Sequence, residues 1–437
     1  KNNIKYKTVC VIGLGHVGLP LSVYIANNNL KTVGHDKDKR KLETLKKTKV
    51  FVEKDLEDLK KKVFKNKKLL VESDFKKIKA QIYIVCVGAE LINNKVTSKN
   101  LNLVIKSLSK VINLNDLIIL RGTMLVEQTR LFMNLLNKKT KMIAGKDYYL
   151  SYCPERLVEG NALEELKKLP QIVSGASINC QDMSIKFWNS LMINTIKGEN
   201  FEEAEIIKLA SNSYRDLIFS FSNDLCKISS KYNIDINELI DKANIGYERN
   251  DFKKPSPGVG GSCLVKDPLM FSINDNNNGY RLGRISRKIN SDAINLLLKR
   301  VNIIKSKFNI DKMKILIFGL TYKGNPETSD IRSSMSLKLA EKLKKNNIDY
   351  KFYDITLKKY KMLPKHLKSK FILKESKFKE FDMIILMNNH INTEEVLIKN
   401  LKISKKPKFL YDCWNIIQKE KVEFFNYKYI SLSKLYF

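Results

Sequence analysis

Three glycines constrain the opening of this chain more than any other feature. The β-branched run Thr8 to Ile12 stops at Gly13-Leu-Gly15-His-Val-Gly18, and Leu19 to Asn28 then follows a helical pattern. A strand that turns into a helix within six residues needs glycine where φ is positive and where strand, helix and ligand approach closely. The pattern predicts strand, glycine turn, helix, the unit that holds a dinucleotide pyrophosphate at a helix N-terminus. A glycine-rich turn in a fold that binds nothing is the alternative. A second strand, Lys31 to His35, ends at Asp36, where such a fold places the carboxylate that holds the adenosine ribose. Asp36 repels a ribose 2′-phosphate and so favours NAD over NADP, while Lys37, Lys39 and Arg40 oppose that repulsion.

Further strands are predicted at Gln81 to Gly88, Leu117 to Arg121, Tyr148 to Tyr152 and Gln171 to Gly175, with helices between most of them. That alternation implies a parallel, doubly wound sheet. From Phe201 to about Lys231 neither Pro nor Gly occurs. Ile206, Leu209, Tyr214, Leu217, Phe221, Leu225 and Ile228 keep helical spacing there, with Ile207, Ile218 and Phe219 outside the stripe. A helix apolar on more than one face must be covered, here by flanking domains and a second subunit. After Lys305 the opening grammar returns, with strands at Lys314 to Phe318, Tyr350 to Tyr353, Asp382 to Met387 and Lys408 to Tyr411. The expected fold is α/β: two Rossmann-like doubly wound domains joined by a long central helix and a helical middle domain, divided as 1–200, 201–304 and 305–437.

Composition excludes several function classes. The 437 residues carry 80 Lys+Arg against 46 Asp+Glu, but only eleven of the cations are Arg and the lysines are spread along the whole length. Without a basic arm or aromatic-interleaved basic clusters, the excess reads as a solvated surface and not as a dedicated nucleic-acid face. Lysines interrupt every apolar run before the roughly 18 residues a membrane helix needs. The Lys-rich start, Lys1 to Lys7, precedes an apolar run too short for a signal-peptide core, so a cytoplasmic protein is expected. Seven Cys without a Cys-x-x-Cys pair and four scattered His suggest neither a disulfide scaffold nor a metal site.

Three segments carry candidate chemistry. In Pro255-Ser-Pro-Gly-Val-Gly-Gly-Ser-Cys263-Leu-Val-Lys-Asp267, a nucleophile stands four residues ahead of a proton acceptor in a loop poorly suited to a core. Cys10, Cys86, Cys180 and Cys226 are read instead as small buried hydrophobes. On the long helix Lys208 and Asn212 share a face, with Arg215 and Asp216 about a turn on; taken alone they are read as solvent-side polar residues. Gly319 to Ser334 offers Lys323 and Arg332 after a strand, donors suited to a second phosphate-bearing ligand or to an ordinary basic surface loop.

Together these blocks, with Gly122-Thr123 and Cys153-Pro-Glu155-Arg156, resemble the UDP-glucose/GDP-mannose 6-dehydrogenase superfamily along essentially the whole chain. The resemblance implies oxidation of the C6 alcohol of a UDP-sugar to a carboxylate with two NAD⁺, by a homodimer. It assigns Cys263 as the thiol that forms a thiohemiacetal and then a thioester. Lys208 becomes the oxyanion's cation, Asn212 its hydrogen-bonding neighbour, Asp267 the carboxylate that orders water, and Thr123 and Glu155 partners in water positioning and proton transfer. Cofactor contacts fall to Gly13, Gly15, His16, Val17, Gly18, Asp36, Arg40, Val87 and Thr123. Substrate contacts fall to Glu155, Arg156, Leu157, Lys208, Asn212, Arg215, Arg249, Gly260, Lys323 and Arg332. The stretch Tyr152 to Gly160, continuing to Ile172-Val-Ser-Gly175, is similar to members acting on UDP-N-acetylhexosamines, whereas Ser262 before Cys263 resembles the UDP-glucose members. Gly88-Ala89-Glu90 departs from the family's usual Pro-Thr, and the Lys323 to Arg332 spacing is longer than in many members. A non-catalytic NAD or nucleotide-sugar binder on the same fold is the competing class.

Overall fold

The structure, a computed structural model, describes residues 8–92, 95–273 and 280–436; the Lys-rich start lies outside them. Among the described residues the chain divides into two compact units, the first running to Ser211 and including Ile273, the second comprising Asn212–Ser272 and the residues from Tyr280 on.

The first unit is built on strands β1 (Thr8–Ile12), β2 (Lys31–His35), β3 (Leu69–Glu72), β4 (Ile82–Val85), β5 (Glu90–Ile92), β6 (Lys95–Thr97), β7 (Leu117–Leu120), β8 (Tyr149–Tyr152), β9 (Gln171–Gly175) and β10 (Thr195–Lys197). Eight of them form one sheet in the order β10-β9-β8-β7-β4-β1-β2-β3, and β5 and β6 make a separate hairpin. Alternation along the strands separates two cores: Cys10, Ile12, Tyr83 and Val85 face one, Val9, Val11, Ile82 and Ile84 the other. Burial on both faces is what a parallel sheet under helices requires.

Two expectations need correction. β9 runs antiparallel to β8, with Tyr152 opposite Ser174, so the sheet is mixed. The reason lies in the 153–170 excursion, which returns to the sheet end it left: Gln171 Nε2 donates to Pro154 O at 2.9 Å. It therefore stays at the carboxyl ends of the strands, where open α/β sheets bind ligands. The strands expected through Gly88 and Arg121 stop at Val85 and Leu120 because the following segments leave the ladder and cross. A Cβ on Gly88 would lie 2.5 Å from Thr123 O, closer than any real side chain tolerates. The edge strands β3 and β10 and the β5/β6 hairpin, each three or four residues long, have too little alternation to announce themselves.

The second unit contains β11 (Lys314–Phe318), β12 (Asp349–Tyr353), β13 (Met383–Leu386), β14 (Lys408–Asp412) and β15 (Tyr427–Ser431), all parallel, in the order β12-β11-β13-β14-β15. Ile315 and Ile317 enter one core and Leu316 and Phe318 the other, repeating the first unit's scheme. Among the described residues no helix is long and apolar enough to cross a membrane.

The helix Phe201–Lys231 forms as its unbroken sequence requires, but the stripe it displays is not a core stripe. Leu209 is buried, whereas Ile206, Tyr214, Phe221 and Ile228 are 42%, 63%, 51% and 57% exposed. The buried side is polar instead, carrying Glu205, Lys208, Asn212, Asp216 and Asn223. This inverts the usual amphipathic arrangement.

Candidate active site

In the first unit the glycine turn has the expected geometry. Gly13 takes φ +92° and donates its N–H to His35 O at 2.8 Å, closing β1 onto β2. A Cβ on Gly18 would collide with the Gly13 carbonyl, so helix and strand pack at a distance only glycine permits. A Cβ on Gly15 would meet nothing within 4 Å, which leaves the backbone open to a ligand. The helix Gly18–Asn27 has no side-chain cap and no acidic residue in its first turn. Its N–H groups thus suit a pyrophosphate. These features fit NAD.

Asp36 follows β2, and its carboxylate is already engaged. Oδ2 accepts from Leu14 N at 3.2 Å and from Lys41 Nζ at 2.6 Å, and Oδ1 accepts from Asp38 N at 3.2 Å. Burial pushes its pKa up, but Lys41 and the two backbone donors outweigh burial and hold it below the usual carboxylate range. The cation on Asp36 is Lys41, and none of the three bases expected there. Arg40 is exposed, and Lys37 donates to Asn100, which in turn donates to Glu90. His16 Nδ1 lies 3.3 Å from Glu159 Oε2. Val17 immediately precedes the helix, and Val87 packs on Gly13.

Thr123 is held at the end of β7, where its carbonyl accepts from Ala89 N at 2.9 Å. On the 153–170 excursion Glu155 is buried. Its backbone carbonyl accepts a hydrogen bond from Lys208 Nζ, whose ammonium also lies 3.5 Å from Glu155 Oε2, and its other carboxylate oxygen caps Leu157 N. Arg156 donates to Pro170 O at 2.5 Å, and burial lowers its pKa. Arg121 is buried, donates to Gln171 and lies 5.0 Å from the Trp188 ring centre.

In the second unit the expected loop ends at Gly261, and Ser262–Ile273 is a helix that accommodates Pro268. Cys263 stands exposed in its first turn, where the positive helix end supports negative charge. Cys10, Cys153, Cys180, Cys226 and Cys413 are buried, and Cys86, expected to be buried, is only half so because it lies beside the Gly18 turn. One helical turn after Cys263, Asp267 is fully buried; Oδ2 accepts from Asn212 Nδ2 and Oδ1 from Lys266 Nζ, both at 2.6 Å. The long helix thus buries both Lys208 and Asn212, which overturns the solvent-side reading, while Arg215 is exposed.

The glycine loop packs on the loop after β11. A Cβ on Gly260 would sit 2.7 Å from Ser333 O, and one on Gly261 2.9 Å from the Tyr322 ring. Lys323 Nζ lies 5.6 Å from that ring's centre. Arg332 forks onto Asp330, Nε at 2.9 and 3.0 Å and Nη2 at 2.7 Å. Arg249 stacks over Tyr247 at 4.6 Å.

Sequence reasoning missed Lys266 and Lys41. The signal for Lys266 was its adjacency to Asp267; Lys41 lies one turn into the helix Lys39–Lys47 that follows Asp36, within reach of it. Glu205 was also passed over as a separate residue. It accepts from Glu127 N and Thr129 N, both at 2.7 Å, and so caps the helix Gln128–Thr140.

Comparison with known proteins places these features in a family. Residues 7–191 match the NAD binding domain of the UDP-glucose/GDP-mannose dehydrogenase family, 202–292 its central domain and 316–419 its UDP binding domain. The chain is 29% identical over 428 residues to UDP-N-acetyl-D-mannosamine dehydrogenase of Methanocaldococcus jannaschii, covering 96% of this chain and 95% of that one. It is 30% identical to the protein of that name from Methanococcus maripaludis, with 80% of each covered. The solved structure of UDP-D-ManNAc dehydrogenase from Pyrococcus horikoshii superposes with a TM-score of 0.84 at 24% identity, covering 98% and 99%.

Proposed function

The chain belongs to the UDP-glucose/GDP-mannose dehydrogenase family, NAD-dependent oxidoreductases of nucleotide sugars, and from that premise we propose a four-electron oxidation at C6 of a UDP-N-acetylhexosamine, carried by Cys263. The observation that carries the reading is the pairing of an exposed Cys263 with a buried Asp267, one turn along the same helix and hydrogen-bonded to Asn212.

NAD, when bound, accepts one hydride in each of the two oxidations. This chain's residues do the rest. The first oxidation leaves an aldehyde, and the Cys263 thiolate adds to its carbon to form a thiohemiacetal. Loss of the second hydride gives a thioester, and attack by water releases the carboxylate and returns the thiol. Lys208, buried and held by Glu155, supplies a fixed cation for the oxyanion, and such preorganised charge is commonly the largest catalytic contribution. Asn212 and Lys266 fix both oxygens of Asp267, which orients the hydrolytic water. Thr123 and Glu155 line the nicotinamide side of this reading.

The N-acetylhexosamine assignment draws on the Tyr152 to Gly160 block and on the two methanogen relatives named for UDP-N-acetyl-D-mannosamine. Ser262 ahead of Cys263 favours UDP-glucose as the second reading. The reading also divides the chain into an NAD-binding domain (1–200), a helical domain (201–304) and a UDP-sugar domain (305–437), and pairs two chains through the exposed Ile206, Tyr214, Phe221 and Ile228. A catalytic thiol and NAD chemistry suit the reducing cytoplasm.

The test is an assay with UDP-N-acetylmannosamine, UDP-N-acetylglucosamine, UDP-N-acetylgalactosamine and UDP-glucose, counting NADH. The reading requires two NADH per sugar and loss of turnover in Cys263→Ala. One NADH with accumulating aldehyde sinks it, and preferred turnover of UDP-glucose hands the substrate to the second reading. Sedimentation as a stable monomer at micromolar concentration removes the dimer.

A further inference from the structure

The glycine loop before Cys263 is gripped by a buried polar network for which the chemistry above has no use. Asp216, fully buried on the long helix, accepts from Arg287 Nη1 at 2.6 Å, Ser286 Oγ at 2.8 Å and Asn290 Nδ2 at 2.8 Å. The Asn290 amide also reaches the Asp216 backbone carbonyl at 2.9 Å, which ties two helices together. From this root two arms extend to the loop. Arg287 Nη2 donates to Val259 O at 3.2 Å. Asn290 Oδ1 accepts from Asn223 Nδ2 at 2.8 Å, and Asn223 Oδ1 accepts from Ser256 N at 2.9 Å. Ser256 Oγ then donates to Gly258 O at 3.1 Å. A Cβ on Gly258 would collide with Asn290 O, so the loop lies directly against the network.

Burying an Arg–Asp pair, two amides and two hydroxyls is a poor way to gain stability, since desolvation offsets much of the attraction and apolar residues of similar volume often do as well. Its gain is geometric, because every donor and acceptor direction is specified. We infer that Asp216, Arg287, Asn290 and Asn223 are positioning residues that fix the loop 256–261, and through it the first helical turn bearing Cys263. This rests on the proposed role of Cys263. A guanidinium is needed at 287 because one fork must span Asp216 and Val259 O together, and an ammonium bonds at a single point.

The experiment uses the full chain with Arg287→Lys and, as a milder change at the far arm, Asn223→Ala. Three quantities are read: kcat and KM with UDP-sugar and NAD, the rate of Cys263 alkylation by iodoacetamide mapped by mass spectrometry, and the melting temperature. Misplacing a nucleophile by a fraction of an ångström to an ångström lowers kcat by about 10- to 100-fold, so Arg287→Lys loses that much kcat while KM for NAD stays within about twofold. Its alkylation rate at Cys263 moves by a factor of about 3 or more, and Asn223→Ala follows in the same direction by less. If both folded variants keep the parent kcat and alkylation rate and lose only melting temperature, the network is merely structural and the inference falls. Should Arg287→Lys fail to fold, Asn223→Ala decides by the same two readouts. Failure of the chemical reading is a separate event: Cys263→Ala would keep its turnover, while the alkylation rates would still report whether the network places the loop.

Discussion

The chain builds one turn twice and gives the two copies different duties. After β1, Gly13 takes φ +92°, donates to the carbonyl ending β2, and is followed by Leu14, whose N–H reaches Asp36. After β11, Gly319 takes φ +100°, donates to Tyr353 O at 2.7 Å, and is followed by Leu320, whose N–H reaches Asp354 at 2.7 Å. Beyond that point they diverge. Asp36 is half-buried and makes its shortest bond to the ammonium of Lys41, whose side chain is 37% exposed, whereas Asp354 is 1% exposed and is consumed by the fold. Its Oδ2 also accepts from Thr321 N at 3.0 Å and Thr321 Oγ1 at 3.1 Å, and its Oδ1 caps Leu357 N at 2.9 Å. The first helix begins at Gly18, directly at the turn; the second begins only at Met335, after a polar loop. The same backbone device thus ends in a half-buried carboxylate in the first unit, which the proposed function gives to the dinucleotide, and in a carboxylate spent on the architecture in the second.

The comparison breaks if the two carboxylates respond alike to removal. Asp354→Ala strips acceptors from several buried donors at once, and by the cost of unsatisfied buried groups it should lose about 3–5 kcal/mol of stability. Asp36→Ala should lose no more than about 1 kcal/mol, because two of its three partners, Lys41 and Asp38, reach water. The effect on cofactor is reversed: Asp36→Ala weakens NAD binding by about 10- to 100-fold, as loss of a charged hydrogen-bond acceptor does. Asp354→Ala, measured well below its melting temperature, leaves NAD affinity near that of the parent. Calorimetry and a fluorescence titration of NAD give both numbers. Equal loss of stability, or equal loss of NAD affinity, would show that the two turns do not differ in duty.

Glu205 extends the comparison to a buried carboxylate whose donors do not suffice. Burial outweighs the hydrogen bonds from Thr129 and Glu127 and leaves its pKa raised to about 7. The folded chain therefore binds a proton more tightly than the unfolded one. Folding takes up a proton between the unfolded carboxylate value and about 7, so stability is greatest below that window and falls as pH rises through it. The expected loss between pH 4.5 and 7.5 is on the order of 3 kcal/mol. Glu205→Gln mimics the protonated acid, so its melting temperature should match the parent near pH 5 and exceed it near pH 8. A variant that loses stability equally at both pH values contradicts this assignment.

The first turn was legible in sequence because Gly13 and Gly18 are demanded by a positive φ and by collisions that a side chain would cause, and strand, turn and carboxylate fall at fixed spacing. The second sheet was legible from the same repeat of apolar runs. The antiparallel β9 was not, since strand direction depends on which sheet end the 153–170 excursion returns to, and no local pattern records that. The long helix was read correctly as a helix, and its polar residues Lys208 and Asn212 wrongly as solvent-side. Periodicity reports which residues share a face, and it cannot say that Glu205, Lys208, Asn212, Asp216 and Asn223 would be buried while Ile206, Tyr214 and Phe221 stay exposed. Cys263 and Asp267 were found by type and spacing, but the Asp216–Arg287 network joins residues about seventy positions apart and left no mark in either segment alone.

The smallest expected effect concerns Lys41 and sharpens what the first turn is for. Its ammonium lies 2.6 Å from Asp36 Oδ2, with 37% of the side chain exposed, so the pair is solvent-screened and contributes well under about 1 kcal/mol to folding. Lys41→Ala should therefore leave the melting temperature nearly unchanged. Its consequence lies in cofactor choice. With Lys41 present, part of the negative charge that opposes a ribose 2′-phosphate is neutralised at short range. Removing it restores the full charge of Asp36, so NADP binding should weaken by about two- to fivefold relative to NAD, an effect of the size expected for one partly exposed charge. Parallel titrations of both dinucleotides at low and at physiological salt resolve this, because the ratio should shrink as screening increases. An unchanged ratio would mean that Lys41 swings clear of Asp36 when the dinucleotide binds, and that Asp36 alone sets the preference.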